Sequence, residues 1–539
     1  MTGDPPLVVD ATDGKTVVFR GKNLYSPTTP LAACRRRVAA LNILDRSLVI
    51  VPSPLLGHGL PELLHKCGPG CRIVLVELEP QLAALSAQHL PDTVVADPRV
   101  VVCYAEQLNQ LEACFPLTLR SSCERVHLVN LSAGSRLHTE DYSRLVRWLQ
   151  DEIRRAWQNR MTTMHMARLW FRNLFANLPL LPSARPIESL RVEKPTLVLG
   201  AGPSLQDLLP QLQQARDQLF VIAVDTALPV LEAHSIAADA VVAVEAQHAN
   251  LGDFLGVQRQ SVLLFADLFS YPAVVRLFPR HNTLFFASRP IKTALLGRLE
   301  SRGLLPLQIP PLGSVGVVAV KLACSICSGA VGFSGLDFSY ADGKTHANGA
   351  PMLQRALSSG NRLSGDRIYA ACLARARLAQ PDKRGGICKT DMVLLSYAEQ
   401  LRSIASANPR LYDLGAHGLA TGARQVASLG GFLQAAAAGA PRLQPAMTVA
   451  QPPDYQTLRD SLEDELALLQ QLEELITSQG DTRQLQHLLQ AADYLCRETG
   501  APCSTDQSSL RRCLVAARFY RIQINRALAR LVELTPPRT

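Results

Sequence analysis

The sequence at residues 195–215 is PTLVLGAGPSLQDLLPQLQQA. It begins with a short apolar run, continues through a Gly-Ala-Gly-Pro-Ser turn at 200–204, and ends in a segment whose leucines recur at helical spacing. A buried strand that enters a helix through a glycine-rich turn is the starting unit of a doubly wound α/β sheet. This stretch therefore predicts a parallel sheet with a ligand site at the carboxyl ends of its strands.

Further short apolar runs extend this pattern in both directions along the chain. Those near the N-terminus surround a turn at Gly57-His58-Gly59, and one of them ends at Glu77, an acidic residue placed as in many ribose-binding folds. The predicted strands are 46–52, 71–77, 98–104, 125–131, 195–200, 219–225, 239–245, 261–267, 282–288 and 330–337. We therefore expect two Rossmann-like α/β domains, and the sequence leaves open whether the first one binds a ligand.

Two other regions show long helical periodicity. Residues 140–178 repeat apolar side chains every three or four positions and contain all three tryptophans, which favours a strut between domains over a helix lying on a membrane surface. Beyond residue 440 successive helical segments have opposite net charges, which suits an antiparallel bundle. The predicted organisation is a Rossmann-like α/β domain at 1–139, an amphipathic linker helix at 140–185, a central α/β domain at 186–435 and a helical domain at 436–539.

Composition excludes several classes of protein. With 47% hydrophobic and 19% charged residues, the chain is too apolar for a disordered protein. A net charge of +9 without dense Lys/Arg tracts argues against nucleic acid as a partner. No uninterrupted apolar stretch reaches the length of about 20 residues that a membrane span needs, and no secretory leader is visible. We expect a soluble cytoplasmic protein with reduced cysteines.

Candidate site residues cluster where predicted strands end. The glycine turn at 200–204 opens a helix, where backbone amides and the helix dipole can hold a phosphate. Asp225 and Glu245 end two strands, where a carboxylate can bind a ribose, a base or a metal, or can cap the next helix. The loop at 311–316 is a second glycine-containing turn that opens a helix, and it could hold a second anionic group.

The loop at 335–349, GLDFSYADGKTHANG, is the most polar of these segments. His346 lies in it beyond the strand that ends near Asp337, which makes the histidine a candidate general base. The position of Asp337 predicts a hydrogen bond to the imidazole that would raise its basicity. Tyr340 or Lys344 could instead be the operative group, or His346 could simply tether the loop.

These motifs resemble those of the motility-associated factor (Maf) flagellin glycosyltransferases, whose core domain is shared with the MptE-like 6-hydroxymethylpterin diphosphokinases. The resemblance covers about residues 170–430, and its most specific part is the long polar loop. The motifs that carry it are GAGPSL at 200–205, VDTAL at 224–228, GSVG at 313–316 and GLDFSYADGKTHANG at 335–349. The first and last are also similar to motifs of bacterial sialyltransferases, which bind a CMP-sugar.

The resemblance implies a function and a role for each site residue. The central domain would transfer a sugar from a nucleotide donor, a CMP-nonulosonic acid, to Ser and Thr hydroxyls of flagellin. Asp337 and His346 would be the catalytic acid/base pair. The nucleotide- and donor-binding residues would be Gly200, Gly202, Pro203, Ser204, Asp225, Thr226, Glu245, Gly313, Ser314, Tyr340, Lys344 and Thr345. No DxD motif is present, so neither a metal nor another cofactor is expected to be obligatory for this transfer.

Two other functions remain open at this stage. The first is pyrophosphoryl transfer from ATP to a pterin, which would need Mg²⁺ held by carboxylates such as Asp225 or Glu245. The second is non-enzymatic, a flagellin-binding assembly factor. The nucleotide that binds, and whether binding needs Mg²⁺, would distinguish the three. The sequence does not predict the donor sugar, the acceptor residues or the oligomeric state.

Overall fold

A computed structural model describes residues 5–105, 115–116, 119, 122–288, 290–358, 367–439, 452–497 and 505–534. The chain forms two compact units, Met1–Thr162 and Thr163–Thr539. Parallel sheets with helices between their strands occur in both, and a helical region follows at the C-terminus. The predicted fold class, α/β with two parallel sheets and C-terminal helices, is confirmed.

Ten of the described strands coincide with the ten predicted apolar runs, and the other eight were not predicted. They are β1 (Leu7–Ala11), β2 (Gly14–Phe19), β3 (Lys22–Asn23), β4 (Ser47–Pro52), β5 (Arg72–Glu77), β6 (Val100–Tyr104), β7 (Arg125–Leu128), β8 (Arg185–Pro186), β9 (Thr196–Leu199), β10 (Phe220–Val224), β11 (Ala240–Ala243), β12 (Leu263–Asp267), β13 (Thr283–Phe286), β14 (Val331–Ser334), β15 (Leu378–Pro381), β16 (Ile387–Thr390), β17 (Leu411–Asp413) and β18 (Arg424–Gln425).

Helices connect most of these strands and make up the C-terminal region. They are α1 (Pro30–Ala39), α2 (Leu60–Lys66), α3 (Pro80–His89), α4 (Asp92–Val95), α5 (Thr139–Asn177), α6 (Ser204–Ala215), α7 (Leu228–Ala233), α8 (Pro272–Val275), α9 (Ala294–Ser301), α10 (Val315–Ile326), α11 (Pro351–Ser358), α12 (Arg367–Arg375), α13 (Met392–Ser406), α14 (Leu429–Ala437), α15 (Tyr455–Ser478), α16 (Thr482–Ala491), α17 (Tyr494–Arg497) and α18 (Gln507–Leu534). Among the described residues, no helix combines the length and apolarity that crossing a membrane requires.

The unit Met1–Thr162 contains a parallel sheet of order β6-β5-β4-β7 and an antiparallel ribbon of β1, β2 and β3. Every residue of β4 is buried, as expected for a continuous apolar run in a parallel sheet covered on both faces. Glu77, at the end of β5, is also buried. Its carboxylate accepts hydrogen bonds from Ser53 Oγ at 2.6 Å and from the amides of Leu78 and Glu79 at 3.0 Å. The chain itself therefore supplies partners for this strand-end acid.

The unit Thr163–Thr539 is built on a nine-stranded sheet of order β18-β17-β14-β9-β10-β11-β12-β13-β8, in which every neighbouring pair is parallel. The chain proceeds outward from β9 to β13 and then returns to the opposite side of β9 with β14. Strand order therefore reverses between β9 and β14. In doubly wound sheets ligands bind at such a switch point, beyond the carboxyl ends of the strands.

Helix α5 confirms the long helix predicted from residue 140 onward. Its first half adds Leu145 and Leu149 to the core of Met1–Thr162, and its second half adds Phe171 and Phe175 to the core of Thr163–Thr539. In the latter core Phe171 lies 5.1 Å from the ring of Tyr494, from the C-terminal helical region. The helices beyond residue 452 thus share one apolar core with the nine-stranded sheet.

Candidate active site

A cavity of about 240 Å³ opens at the switch point between β9 and β14. It is bounded by the turn after β9, the loop after β14 and the start of α10. The predicted site residues that line it are Gly200, Gly202, Pro203, Thr226, Ser314, Asp337, Tyr340, Thr345 and His346. The topology thus brings together segments that are more than a hundred residues apart in sequence.

The turns after β9 and β14 are in direct backbone contact. Gly200 N donates to Ser334 O and Gly202 N donates to Gly335 O, both at 2.8 Å. A Cβ atom on Gly202 would lie 2.7 Å from Gly335 O and 2.5 Å from Asp337 Oδ2, so a side chain cannot be accommodated without displacing these groups. The glycines are required by this close approach, and their amides are used within the protein rather than pointing to a ligand.

We expect Gly202→Ala to lower the free energy of unfolding by about 1–3 kcal/mol, the usual cost of forcing extra atoms into a packed region. Urea denaturation followed by circular dichroism measures the change. Gly297→Ala is the matched control, because nothing lies within 4 Å of the Cβ position there and the residue is inside helix α9. The control should be neutral or slightly stabilising. Equal stability of the two variants would contradict the close-packing role of Gly202.

Asp337 is the group that joins the two turns. Its Oδ2 accepts a hydrogen bond from Ser204 N at 2.9 Å, and its Oδ1 accepts another from Ser204 Oγ. The carboxylate thereby occupies the N-terminus of α6, where the sequence suggested a phosphate. Burial raises the pKa of Asp337, while the hydrogen bonds from Ser204 oppose that shift. The expected hydrogen bond between Asp337 and His346 is wrong, because the carboxylate of Asp337 binds Ser204 and the imidazole Nδ1 contacts Thr345.

A buried ion pair acts electrostatically on Asp337. Lys383, in the turn of the β15–β16 hairpin, lies 2.9 Å from Asp413 at the end of β17, and both side chains are almost fully buried. Asp413 also accepts hydrogen bonds from Thr421 Oγ1 and Gln425 Nε2. Burial raises the pKa of Asp337; the charge of Lys383 opposes this rise, and the charge of Asp413 adds to it. The two charges of the pair therefore act on Asp337 in opposite directions.

His346 is a partly buried imidazole on the cavity wall. Its Nδ1 lies 3.0 Å from Thr345 Oγ1. Burial lowers the pKa of His346, so the neutral ring predominates at neutral pH. A neutral imidazole in a cavity is able to accept a proton from a bound hydroxyl.

The N-terminus of α10 supplies the free anion-binding groups of the cavity. Ser314, Val315 and Gly316 line it, and the Ser314 side chain makes no capping hydrogen bond to the helix. The first amides of a helix have no acceptor within the helix and lie at the positive end of its dipole. Between the two glycine turns named by the sequence, the second is therefore the one that can receive a phosphate.

Arg375 adds a positive charge to the same wall. Its Nε lies 3.2 Å from Asp391 Oδ2, which also accepts a 2.7 Å hydrogen bond from the hydroxyl of Tyr340. The guanidinium is otherwise largely exposed, so further donors remain for a ligand. Tyr340 is thus tied to Asp391 rather than free in the cavity.

The other predicted site residues do not line the cavity. Asp225 is buried and accepts hydrogen bonds from Thr226 N and Asn250 Nδ2, and burial raises its pKa to about 6. Glu245 is exposed and accepts a bond from Gln247 N. Ser204 hydrogen-bonds to Asp337. Gly313 and Lys344 are next in sequence to residues that line the cavity. Asp225 therefore joins the turn after β10 to Asn250, 25 residues later, while Glu245 serves its own turn.

Several lining residues were not predicted from the sequence. Arg375, Tyr397, Leu394 and Met352 come from helices that follow the polar loop. Phe338 has a φ of +49°, an uncommon conformation for a bulky residue, and it lies directly after Asp337. No local motif marks these positions, although an isolated Arg after a polar loop is a weak signal for anion binding.

In the described part of the chain, no group of three or more His, Cys, Asp or Glu side chains is arranged to hold a metal ion. Whether the reaction needs a metal stays a prediction.

The chain is similar to known proteins in both sequence and fold. Residues 172–343 match the family model of 6-hydroxymethylpterin diphosphokinase MptE-like proteins. An uncharacterized protein of Treponema pallidum (strain Nichols) is 31% identical over 424 residues, which are 77% of this chain and 73% of that protein. The solved structure of a Maf glycosyltransferase from Magnetospirillum magneticum AMB-1 matches with a TM-score of 0.55 at 17% identity, covering 98% of this chain and 90% of that one. The chain belongs to the Maf/MptE-like family.

The family match and the cavity coincide in the central sheet. Residues 172–343 contain β9 through β14, the glycine turn, the start of α10 and Asp337. His346 lies three residues beyond the matched range. A second uncharacterized protein of Treponema pallidum (strain Nichols) is 29% identical over 86 residues, 16% of this chain. In this Maf/MptE-like protein the cavity at the switch point is therefore the site to which function should be assigned.

Proposed function

We propose that this protein is a glycosyltransferase that moves a sugar from a CMP-nonulosonic acid to Ser and Thr hydroxyls of flagellin in the cytoplasm. Two findings support the proposal. The chain has the fold of a solved Maf glycosyltransferase along nearly its whole length. The single observation that carries it is a cavity that combines a neutral histidine with the open N-terminus of a helix.

The proposed chemistry follows from this combination. His346 removes the proton of the acceptor hydroxyl as its oxygen bonds to the anomeric carbon of the sugar. The bond from that carbon to the phosphate oxygen breaks, and CMP leaves with the electron pair. The amides that begin α10, with Arg375, stabilise the negative charge that develops on the phosphate. Asp337 holds the two turns together through Ser204 and is a positioning residue in this scheme.

Pyrophosphoryl transfer to a pterin is the second candidate, favoured by the description of the matching family model. That reaction would use ATP and Mg²⁺. The carboxylates suggested for the metal, Asp225 and Glu245, do not line the cavity themselves, and they accept hydrogen bonds from Thr226 N and Gln247 N. The arrangement of these two acids therefore gives this candidate less support.

Thermal unfolding with CMP, CTP, UDP and ATP, each with and without Mg²⁺, tests the proposal. A ligand that binds the native state at 100 times its Kd stabilises it by about 2.7 kcal/mol. We expect CMP to raise Tm without metal. A shift given only by ATP with Mg²⁺ would favour the pterin kinase. The absence of a shift with every nucleotide would favour a non-enzymatic flagellin-binding factor.

We expect Arg375→Gln to weaken CMP binding about tenfold, because a charge-assisted hydrogen bond contributes roughly 1.5–3 kcal/mol. Isothermal titration calorimetry measures the affinity. Arg377→Gln is the matched control, since Arg377 is also exposed and lies two residues away but outside the cavity lining. A similar loss in both variants would show that only the general positive charge matters and would reject a direct role for Arg375.

A further inference from the structure

Five arginines line two adjoining cavities near β12 and β13, which lie three and four strands from β9 in the sheet. The first cavity, of about 270 Å³, is polar and is lined by Arg172, Tyr271, Arg276, Gln523, Arg526 and Arg530, among others. The second, of about 200 Å³, includes Arg280. Arg276 and Arg530 belong to both cavities. The two cavities therefore adjoin at these two side chains, within the unit Thr163–Thr539.

The positive charge of this site is poorly compensated. Among the residues that the structure describes, Arg276, Arg280, Arg526 and Arg530 form no ion pair within 4 Å. The Arg172 guanidinium donates to Asn173 Oδ1, a neutral acceptor. On the same helix α18, by contrast, Arg518 and Arg521 both contact Glu473.

The pKa of Arg530 reflects the repulsion between neighbouring arginines. Burial, together with the positive charges of Arg276 and Arg280, lowers the pKa of the Arg530 guanidinium, against the opposing effect of Glu533. Glu533 is a single carboxylate against several guanidinium groups, and an excess of guanidinium groups favours binding of an anion, above all phosphate, whose geometry suits their paired N–H donors.

The second cavity has a different character. Away from its arginines, its wall is made by Thr283 and five apolar residues, Leu180, Ala184, Val275, Phe278 and Phe285. All six side chains are buried. A cavity of this size and lining can take up a small alkyl or aromatic group. The site therefore offers donors for a phosphate at one end and an apolar space at the other.

We propose that these joined cavities form a binding site for a phosphate monoester, with the phosphate among Arg276, Arg526 and Arg530 and the apolar organic group between Val275 and Phe285. This site is separate from the proposed donor site and does not depend on the proposed function. An acidic protein segment would neutralise the same charges, but it would have no need of the apolar space.

Isothermal titration calorimetry of the full-length protein with inorganic phosphate, phenyl phosphate and octyl phosphate tests the proposal. We expect at least one of the two esters to bind tenfold or more tightly than inorganic phosphate, because its organic group buries apolar surface. The aromatic and alkyl esters distinguish the two kinds of organic group. Esters that bind no better than inorganic phosphate would overturn the assignment of the apolar cavity, and no binding of any probe would overturn the whole site.

Variants locate the binding. Arg276→Gln combined with Arg530→Gln should weaken binding of the preferred ester at least tenfold, while Arg511→Gln, on the same helix α18 but outside both cavities, should leave it unchanged. Ala184→Ile should remove the advantage of the ester over inorganic phosphate by filling the apolar cavity. Unchanged Tm of each variant shows that folding is retained. If Arg511→Gln weakens binding as much as the double variant, or saturating CMP displaces the ester, the proposed site is rejected.

Discussion

Replacement of His346 with alanine is expected to slow sugar transfer by about two to four orders of magnitude, the usual contribution of a positioned acid/base group. The imidazole is the neutral base on the cavity wall, and its contact with Thr345 orients the ring. Affinity for CMP should be retained, because the phosphate is assigned to the start of α10 and to Arg375. Intact-mass measurement of purified flagellin after incubation with donor gives the rate.

The pH dependence of the transfer rate is a second test of His346. Burial lowers the pKa of His346 from its ordinary value of 6.5, and only the neutral ring can accept a proton. The wild-type rate should therefore stay level from pH 6.5 upward and fall as the pH drops through the lowered pKa. His248→Ala, at an exposed histidine outside the cavity lining, is the control and should transfer sugar normally. A near-normal rate for His346→Ala would reject the histidine as the base.

Replacement of Lys383 with methionine should lower the free energy of unfolding by about 3–5 kcal/mol, the cost of leaving one member of a buried ion pair without its partner. The Lys383 side chain is 3% exposed and that of Asp413 is fully buried. Methionine keeps most of the length and apolar surface of the lysine stem, so the loss reports on the charge. Urea denaturation that follows the unfolding of the unit Thr163–Thr539 measures this loss of stability.

Lys389→Met is the matched control for this substitution. Lys389 belongs to β16 of the same hairpin, and its side chain is exposed, so its loss should change stability by no more than about 0.5 kcal/mol. Lys383→Met should also weaken CMP binding, because the hairpin supports the loop that carries Asp337. Equal stability of the two variants would show that Asp413 is adequately satisfied by Thr421 and Gln425 alone.

The glycine turn at 200–204 is a case in which the local sequence could not predict whether a phosphate binds. The sequence at 200–204 has every local feature of a phosphate turn, and it does lie at the switch point. In the folded chain, however, the N-terminus of α6 is taken by Asp337, a residue 133 positions later. The turn at 313–316 also has two glycines, and its residues Ser314, Val315 and Gly316 line the cavity. Local sequence could not decide between the two turns, because the competitor for the first comes from another strand.

The sequence by itself predicted the long helix α5, the two parallel sheets and ten of the described strands, β4–β7 and β9–β14, because apolar periodicity and glycine turns act within a few residues of each other. It did not predict β1–β3, β8 or β15–β18, and its choice of His346 as the base stays a prediction. Only the tertiary structure decided that Asp337 binds Ser204 rather than His346, that Asp225 bonds to Asn250 and Glu245 to Gln247, and that Arg375 lines the cavity. These outcomes depend on strand order, which brings β14 beside β9 and sets distant side chains against each other. Such pairings are fixed by packing across the whole sheet and leave no mark on the local sequence.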